Sequence, residues 1–140
     1  MKKLICLFII IPFLFISCVE LGDETHRVTL KYLNNSSGEI SLSRVCYDYS
    51  KDKPTLTEIP LGIIPIGESL SFDQGILINT VSLNITCNEK KVVQKSKENA
   101  PLFDTTKYEC LFYEKVREPN TCYIITAVYQ FEFTDDFFNE

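Results

Sequence analysis

Six cysteines, one histidine and nineteen acids are the side chains of this 140-residue chain with the means to do chemistry. Cys6 lies inside an apolar run and Cys18 closes it, while Cys46, Cys87, Cys110 and Cys122 are spread over the remainder. Four cysteines would predict disulfides if the domain is exported, and four allow three pairings. Cys110–Cys122 brackets the turn Arg117-Glu118-Pro119-Asn120 and is the favoured bridge, with Cys46–Cys87 as the second. Free buried thiols are the alternative. Structural zinc sites pair their ligands at C-x₂₋₄-C spacing. The chain has no such pair, so no metal is expected.

His26 is the only histidine. A Cys–His or Ser–His relay would need a distant nucleophile folded against it. No G-x-S-x-G, H-E-x-x-H or P-loop motif is present, so His26 is expected to be an ordinary exposed residue. Asp135 and Asp136 are adjacent and would point to opposite faces of a strand, which suits a charged strand end better than a carboxylate pair. Glycosidases hold two carboxyls ~5 or ~6.5–9.5 Å apart, and nineteen acids offer no single pair. Asp73-Gln74-Gly75 is a fragment of a calcium loop and fits a turn better. Among ten Phe and seven Tyr, the residues to inspect as an exposed ligand platform are Tyr47, Tyr49, Tyr108 and Tyr113. No catalytic residue and no cofactor is assigned. The expectation is a non-enzymatic binding or structural module. The alternative is a small hydrolase of envelope or dietary polymers, which would need a cleft around His26 or a carboxyl pair.

The N-terminus has the order of a secretory signal: Lys2 and Lys3, an apolar stretch from Leu4 to Ile16 broken only by Pro12, then the small Ser17. The stretch is shorter than the ~20 residues of a membrane-spanning helix. Phe15-Ile16-Ser17-Cys18 resembles the lipobox cut by lipoprotein signal peptidase, although that pattern favours Leu at the position of Phe15. The resemblance implies cleavage before Cys18 and acyl chains, such as palmitate, on its sulfur. The expected organisation is a signal peptide over 1–17, a lipidated tether over 18–25 and a single domain over 26–140. Removing Lys2 and Lys3 from 14 Lys and Arg, against 19 Asp and Glu, leaves a mature charge of −7. Such acidity disfavours nucleic acid, whose phosphates need clustered cations. The expected partners are a membrane, reached through lipid on Cys18, and a protein or glycan of unknown identity.

The elements that must position these residues read as strands. Val28, Leu30 and Tyr32 alternate from His26 to Leu33. Asn34-Asn35-Ser36-Ser37-Gly38 is a turn cluster. A second strand runs from Glu39 to about Asp48, and its change of phase predicts a β-bulge near Arg44. Residues 50–67 read as loop with one short edge strand. Glu68–Phe72 and Val81–Cys87 follow as strands, with a hairpin tip at Asn88-Glu89-Lys90 and a return from Val92. Lys107–Lys115 and Thr121–Thr134 are the last two. In the final strand Tyr123, Ile125, Ala127, Tyr129, Phe131 and Phe133 alternate without a gap, and its other face begins apolar, which predicts a central position. The expected fold is all-β: a small antiparallel sandwich (immunoglobulin/transthyretin-like) of about seven strands. A small closed barrel is the runner-up.

Three short segments carry a resemblance. Leu33-Asn34-Asn35-Ser36-Ser37-Gly38-Glu39-Ile40 resembles an N-N-S-G-x-x-I opening, Ile64-Pro65-Ile66-Gly67-Glu68-Ser69 an I-P-P-G-E-S turn, and Phe131–Phe137 a Y-x-F/I-T-E-E-D-Y ending. Together they resemble the small, uncharacterised lipoproteins common in Bacteroidota. The chain departs from the pattern at Ile66 and Phe137. The resemblance implies an outer-membrane location, and the acids Glu20, Asp23 and Glu24 after the cysteine accompany surface display in such proteins. It also implies Thr105, within Asp104-Thr105-Thr106, as a candidate O-glycosylation site.

Overall fold

A computed structural model describes residues 24–50, 52–98, 100–119 and 122–139; the predicted signal, Cys18 and most of the tether lie outside the described residues. Eight strands follow in chain order: β1 (Glu24–Asn34), β2 (Ile40–Asp48), β3 (Thr55–Ile64), β4 (Ser69–Asp73), β5 (Thr80–Cys87), β6 (Lys90–Lys95), β7 (Glu109–Arg117) and β8 (Tyr123–Phe133). They form two four-stranded sheets, β4-β1-β8-β7 and β3-β2-β5-β6, packed as a small β-sandwich. The strongest alternation in the sequence takes the central place it predicts. β8 lies between β1 and β7, with Ile125, Ala127, Phe131 and Phe133 buried.

Two features differ from a purely antiparallel sandwich of about seven strands. First, β1 and β8 run parallel along their whole length, from Glu24↔Tyr123 to Asn34↔Phe133, so one sheet is mixed. β1 therefore begins at Glu24, two residues inside the expected tether. Second, residues read mainly as loop contain the ten-residue β3, with Pro60 in it. β3 is an edge strand, where the missing N–H of proline need not break a ladder.

The predicted bulge also has a different form. β2 itself has no extra residue; the extra residues sit on its neighbours. Leu61 of β3 falls between Pro60↔Ser43 and Gly62↔Leu42, and Val81 of β5 between Ser82↔Val45 and Thr80↔Cys46. Gly62, at φ +148°, supplies the conformation that the first of these bulges needs.

Leu30, Tyr32, Ile40, Leu42, Ile64, Leu83, Ile85 and Phe133 form the centre of the core. Each such side chain contributes ~1.5–3 kcal/mol when fully buried. The two ends of the sandwich differ in kind. At one, the tip, Asn34 ties the sheets together. Its Nδ2 donates to Gly38 O and Ile64 O, both at 2.8 Å, and its Oδ1 accepts from Ser36 N (2.9 Å) and Ser36 Oγ (2.7 Å). Asn88 (φ +47°) and Glu89 (φ +67°) make the tight turn between β5 and β6 at this end. At the other, the base, β1 and β8 begin, β2 and β7 end, and three clefts open.

Candidate interaction surface

All four cysteines among the described residues are free, so the expected disulfides are absent. The ladder explains why. Cys46 stands opposite Thr80 while Cys87 stands opposite Ile40, six residues away along the same strand pair, or about 20 Å at 3.3 Å per residue. Cys110 faces Tyr129, whereas Cys122 sits past Tyr123↔Arg117 at the far end of the β7–β8 hairpin. A bridge needs Cα atoms ~4.4–6.8 Å apart. Cys122 does flank the turn, but Cys110 lies seven residues from the turn's other edge, so the two cannot face each other. Cys87 is buried with its Sγ 3.5 Å from Ser36 Oγ, Cys122 lies 3.8 Å from Thr25 Oγ1, and Cys110 is exposed.

The other chemistry-bearing residues are engaged locally. Asp135 accepts from Ser37 N (2.8 Å) and Ser37 Oγ (2.9 Å), and these bonds hold its carboxyl below the usual range. Asp135 and Asp136 do not end a strand as expected: β8 stops at Phe133, and the two lie in a short 3₁₀ helix at Asp135–Phe138. Asp104 caps the turn Thr105–Lys107 by accepting from Thr106 N and Oγ1, which lowers its pKa. Thr105 is half-buried on the wall of a basal cleft. Of the four tyrosines singled out, Tyr47, Tyr49 and Tyr113 are exposed. Tyr108 is buried; its hydroxyl donates to Leu102 O (2.9 Å) and lies within hydrogen-bond distance of Tyr32 Oη (3.2 Å), and burial pushes both phenols up.

His26 is exposed and lies 3.5 Å from Glu24. Lys115 Nζ meets the same carboxylate at 2.6 Å; its hydrogen bond and charge hold Glu24 below the ordinary carboxylate range, and Glu24 raises Lys115 in turn. Lys115 also sits 4.6 Å over the Tyr123 ring, with Arg117 at 5.8 Å on the same ring. Beside this charged shelf opens a cleft of about 580 Å³, walled by His26, Val28, Gly75, Leu77, Ile78 and Phe103. A neighbouring cleft of about 380 Å³ shares Gly75 and Ile78 and adds Tyr47 and Tyr49. Among the described residues no three His, Cys, Asp or Glu side chains group as metal ligands.

The most unusual surface is β7 itself. All nine of its residues are exposed, including Leu111, Phe112, Tyr113 and Val116. The free backbone groups can be placed. Glu118 N–H donates to Cys122 O (2.8 Å), and the register runs unbroken from Arg117↔Tyr123 to Phe112↔Val128. Antiparallel ladders alternate, so Phe112, Glu114 and Val116 turn their backbone toward β8, while Tyr113, Lys115 and Arg117 turn theirs to solvent. The other edges are blunted in ways proteins commonly use. β3 carries Pro60 and a bulge, β4 has five residues, and β6 carries Lys90, Lys91 and Lys95. β7 is nine residues long and lacks Pro and Gly; it too has an irregularity, at Leu111, and carries Lys115 and Arg117, but beside them Leu111, Phe112, Tyr113 and Val116 stand exposed.

Compared with protein-family models, curated proteins and solved structures, the chain matches none of them. The β7 edge was not legible as a site in the sequence. The run Leu111-Phe112-Tyr113 is apolar at consecutive positions, which signals a strand but not that both of its faces are open.

Proposed function

We propose that the chain is a lipid-anchored cell-envelope protein whose sandwich is a non-enzymatic binding module, taking an extended segment of a partner protein along the free edge of β7. The anchor rests on Phe15-Ile16-Ser17-Cys18 at the end of a signal-like stretch. The resemblance to Bacteroidota lipoproteins favours the outer membrane. The observation that carries the binding role is the nine-residue edge strand, exposed throughout and bearing four large apolar side chains. An added strand would pair with the main chain of Tyr113, Lys115 and Arg117. Phe112 and Val116 on one face and Tyr113 on the other would contact its side chains, the usual division of labour in strand addition.

Two measurements on intact cells test this. Labelled palmitate should enter the wild-type chain and not Cys18→Ala. A photo-crosslinking residue at position 113 should capture a discrete protein, whereas one at Glu132, on the outer face of central β8, should not. Palmitate in the Cys18→Ala chain contradicts the anchor, and equal capture from both positions contradicts the edge.

A further inference from the structure

We infer that the base of the sandwich is a second membrane contact, in which Tyr47, Tyr49, Leu56 and Ile78 rest on the lipid headgroup layer of the bilayer that holds Cys18. This rests on the lipid-anchor reading above and adds an orientation to it.

Three observations meet at this end. Six peptide steps separate Cys18 from Glu24, the first residue of β1. They span at most about 20 Å when fully extended. β1 itself has eleven residues, or roughly 33 Å, so the tether holds the base near the bilayer and leaves the tip beyond its own reach. The base also carries a contiguous exposed apolar group. Leu56 stands opposite Tyr47, the Tyr47 and Tyr49 rings lie 6.0 Å apart, and Ile78 and Tyr49 wall one cleft. Aromatic rings with a polar edge favour the headgroup level.

Charge separates the two ends in the same sense. Near the base the acids are matched by cations. Glu24 is ion-paired with Lys115 at 2.6 Å and Glu98 with Lys95 at 2.9 Å, and Asp52 and Glu118 share that end with Lys53, Lys97 and Arg117. The tip and its rim gather Glu39, Glu68, Glu89, Glu132, Asp135 and Asp136 against Lys90 and Lys91. An anionic surface repels that end and admits the base. The β7 edge runs from base to tip, so this orientation leaves it open at the side.

The test uses the full processed chain, reconstituted into vesicles of phosphatidylethanolamine and phosphatidylglycerol and footprinted with hydroxyl radicals. Similar exposures supply internal controls: Tyr49 at 68% against Tyr113 at 56%, and Ile78 at 68% against Ile66 at 60%. Docking predicts that Tyr49 and Ile78 oxidise at least about fivefold more slowly than Tyr113 and Ile66, because the headgroup layer covers them. The double variant Tyr49→Ser/Ile78→Ser should bring Tyr47 back to the rate of Tyr113. Matched rates in a chain whose mass shows an acylated Cys18 overturn the docking and leave the anchor standing. A chain without that acyl mass overturns both.

Discussion

Asn34→Ala removes the side chain that ties the two sheets together at the tip. Asn34 is fully buried and makes four hydrogen bonds. Their loss is unequal. Gly38 O keeps a donor, because Ser36 Oγ lies 3.1 Å away. Ile64 O and Ser36 N lose the partner Asn34 gave them. A buried polar group left unpaired costs ~1–3 kcal/mol, so two of them give a loss of about 4 kcal/mol. That is a large part of the ~5–15 kcal/mol that holds a typical domain. Urea unfolding followed by tyrosine fluorescence should show it. With a slope of ~1–3 kcal/mol per molar, the midpoint should fall by roughly 1.5–4 M. Ser36→Ala gives a graded control, since it deletes hydroxyl bonds and leaves the backbone N–H to Asn34 intact; it should cost ~1 kcal/mol. Asn34→Asp should cost at least as much as alanine at neutral pH, because it aims a second acceptor at Gly38 O and Ile64 O. A loss below about 1 kcal/mol for Asn34→Ala would refute the reasoning, since it would mean these groups find other partners at no cost.

Other expectations follow from the same geometry. Tyr108→Phe leaves the buried Leu102 O and Tyr32 Oη without the phenol and by the same reckoning should cost ~2–4 kcal/mol in the same assay. Glu114→Pro removes a ladder bond to β8 and should lower stability, whereas Tyr113→Pro removes only an outward N–H and should spare the fold while abolishing partner capture by a crosslinking residue moved to position 112. Asp135, Asp104 and Glu24 all have carboxyls held below their ordinary values. Their contribution is complete above those ordinary values and is lost as pH falls through the lower folded ones, so stability should hold from neutrality and decline below about pH 4. Asp135→Asn should flatten that decline. Thiol counting in urea without reductant should find Cys46, Cys87, Cys110 and Cys122 all reactive, and native protein should react first at exposed Cys110.

The sheet centre was legible because period-two alternation and burial are one physical fact: Ile125, Ala127, Phe131 and Phe133 of β8 and Val28, Leu30 and Tyr32 of β1 are buried at alternate positions, while Tyr123 and Tyr129 are half-buried like their neighbours. Turns with strict backbone demands were also legible. Gly67 takes φ +77° in its predicted turn, with its N–H on Asn34 O at 2.7 Å. β3 was harder to read, because proline forbids a central strand but not an edge, and edge status is a property of the whole sheet. The parallel pairing of β1 with β8 has no local signal at all. The disulfides failed through register. A turn at Arg117–Asn120 fixes which residues face each other, and counting back from it places Cys110 far along the hairpin. Exposure of β7 depends on where the opposite sheet stops, which no single segment encodes.

Amide hydrogen exchange along β7 tests the open edge most directly. In the purified full chain the amides of Tyr113, Lys115 and Arg117 should exchange rapidly while those of Phe112, Glu114 and Val116 are protected, and a captured partner should slow the first set. Uniform protection in the chain alone, or a partner that leaves the alternation unchanged, would contradict the account.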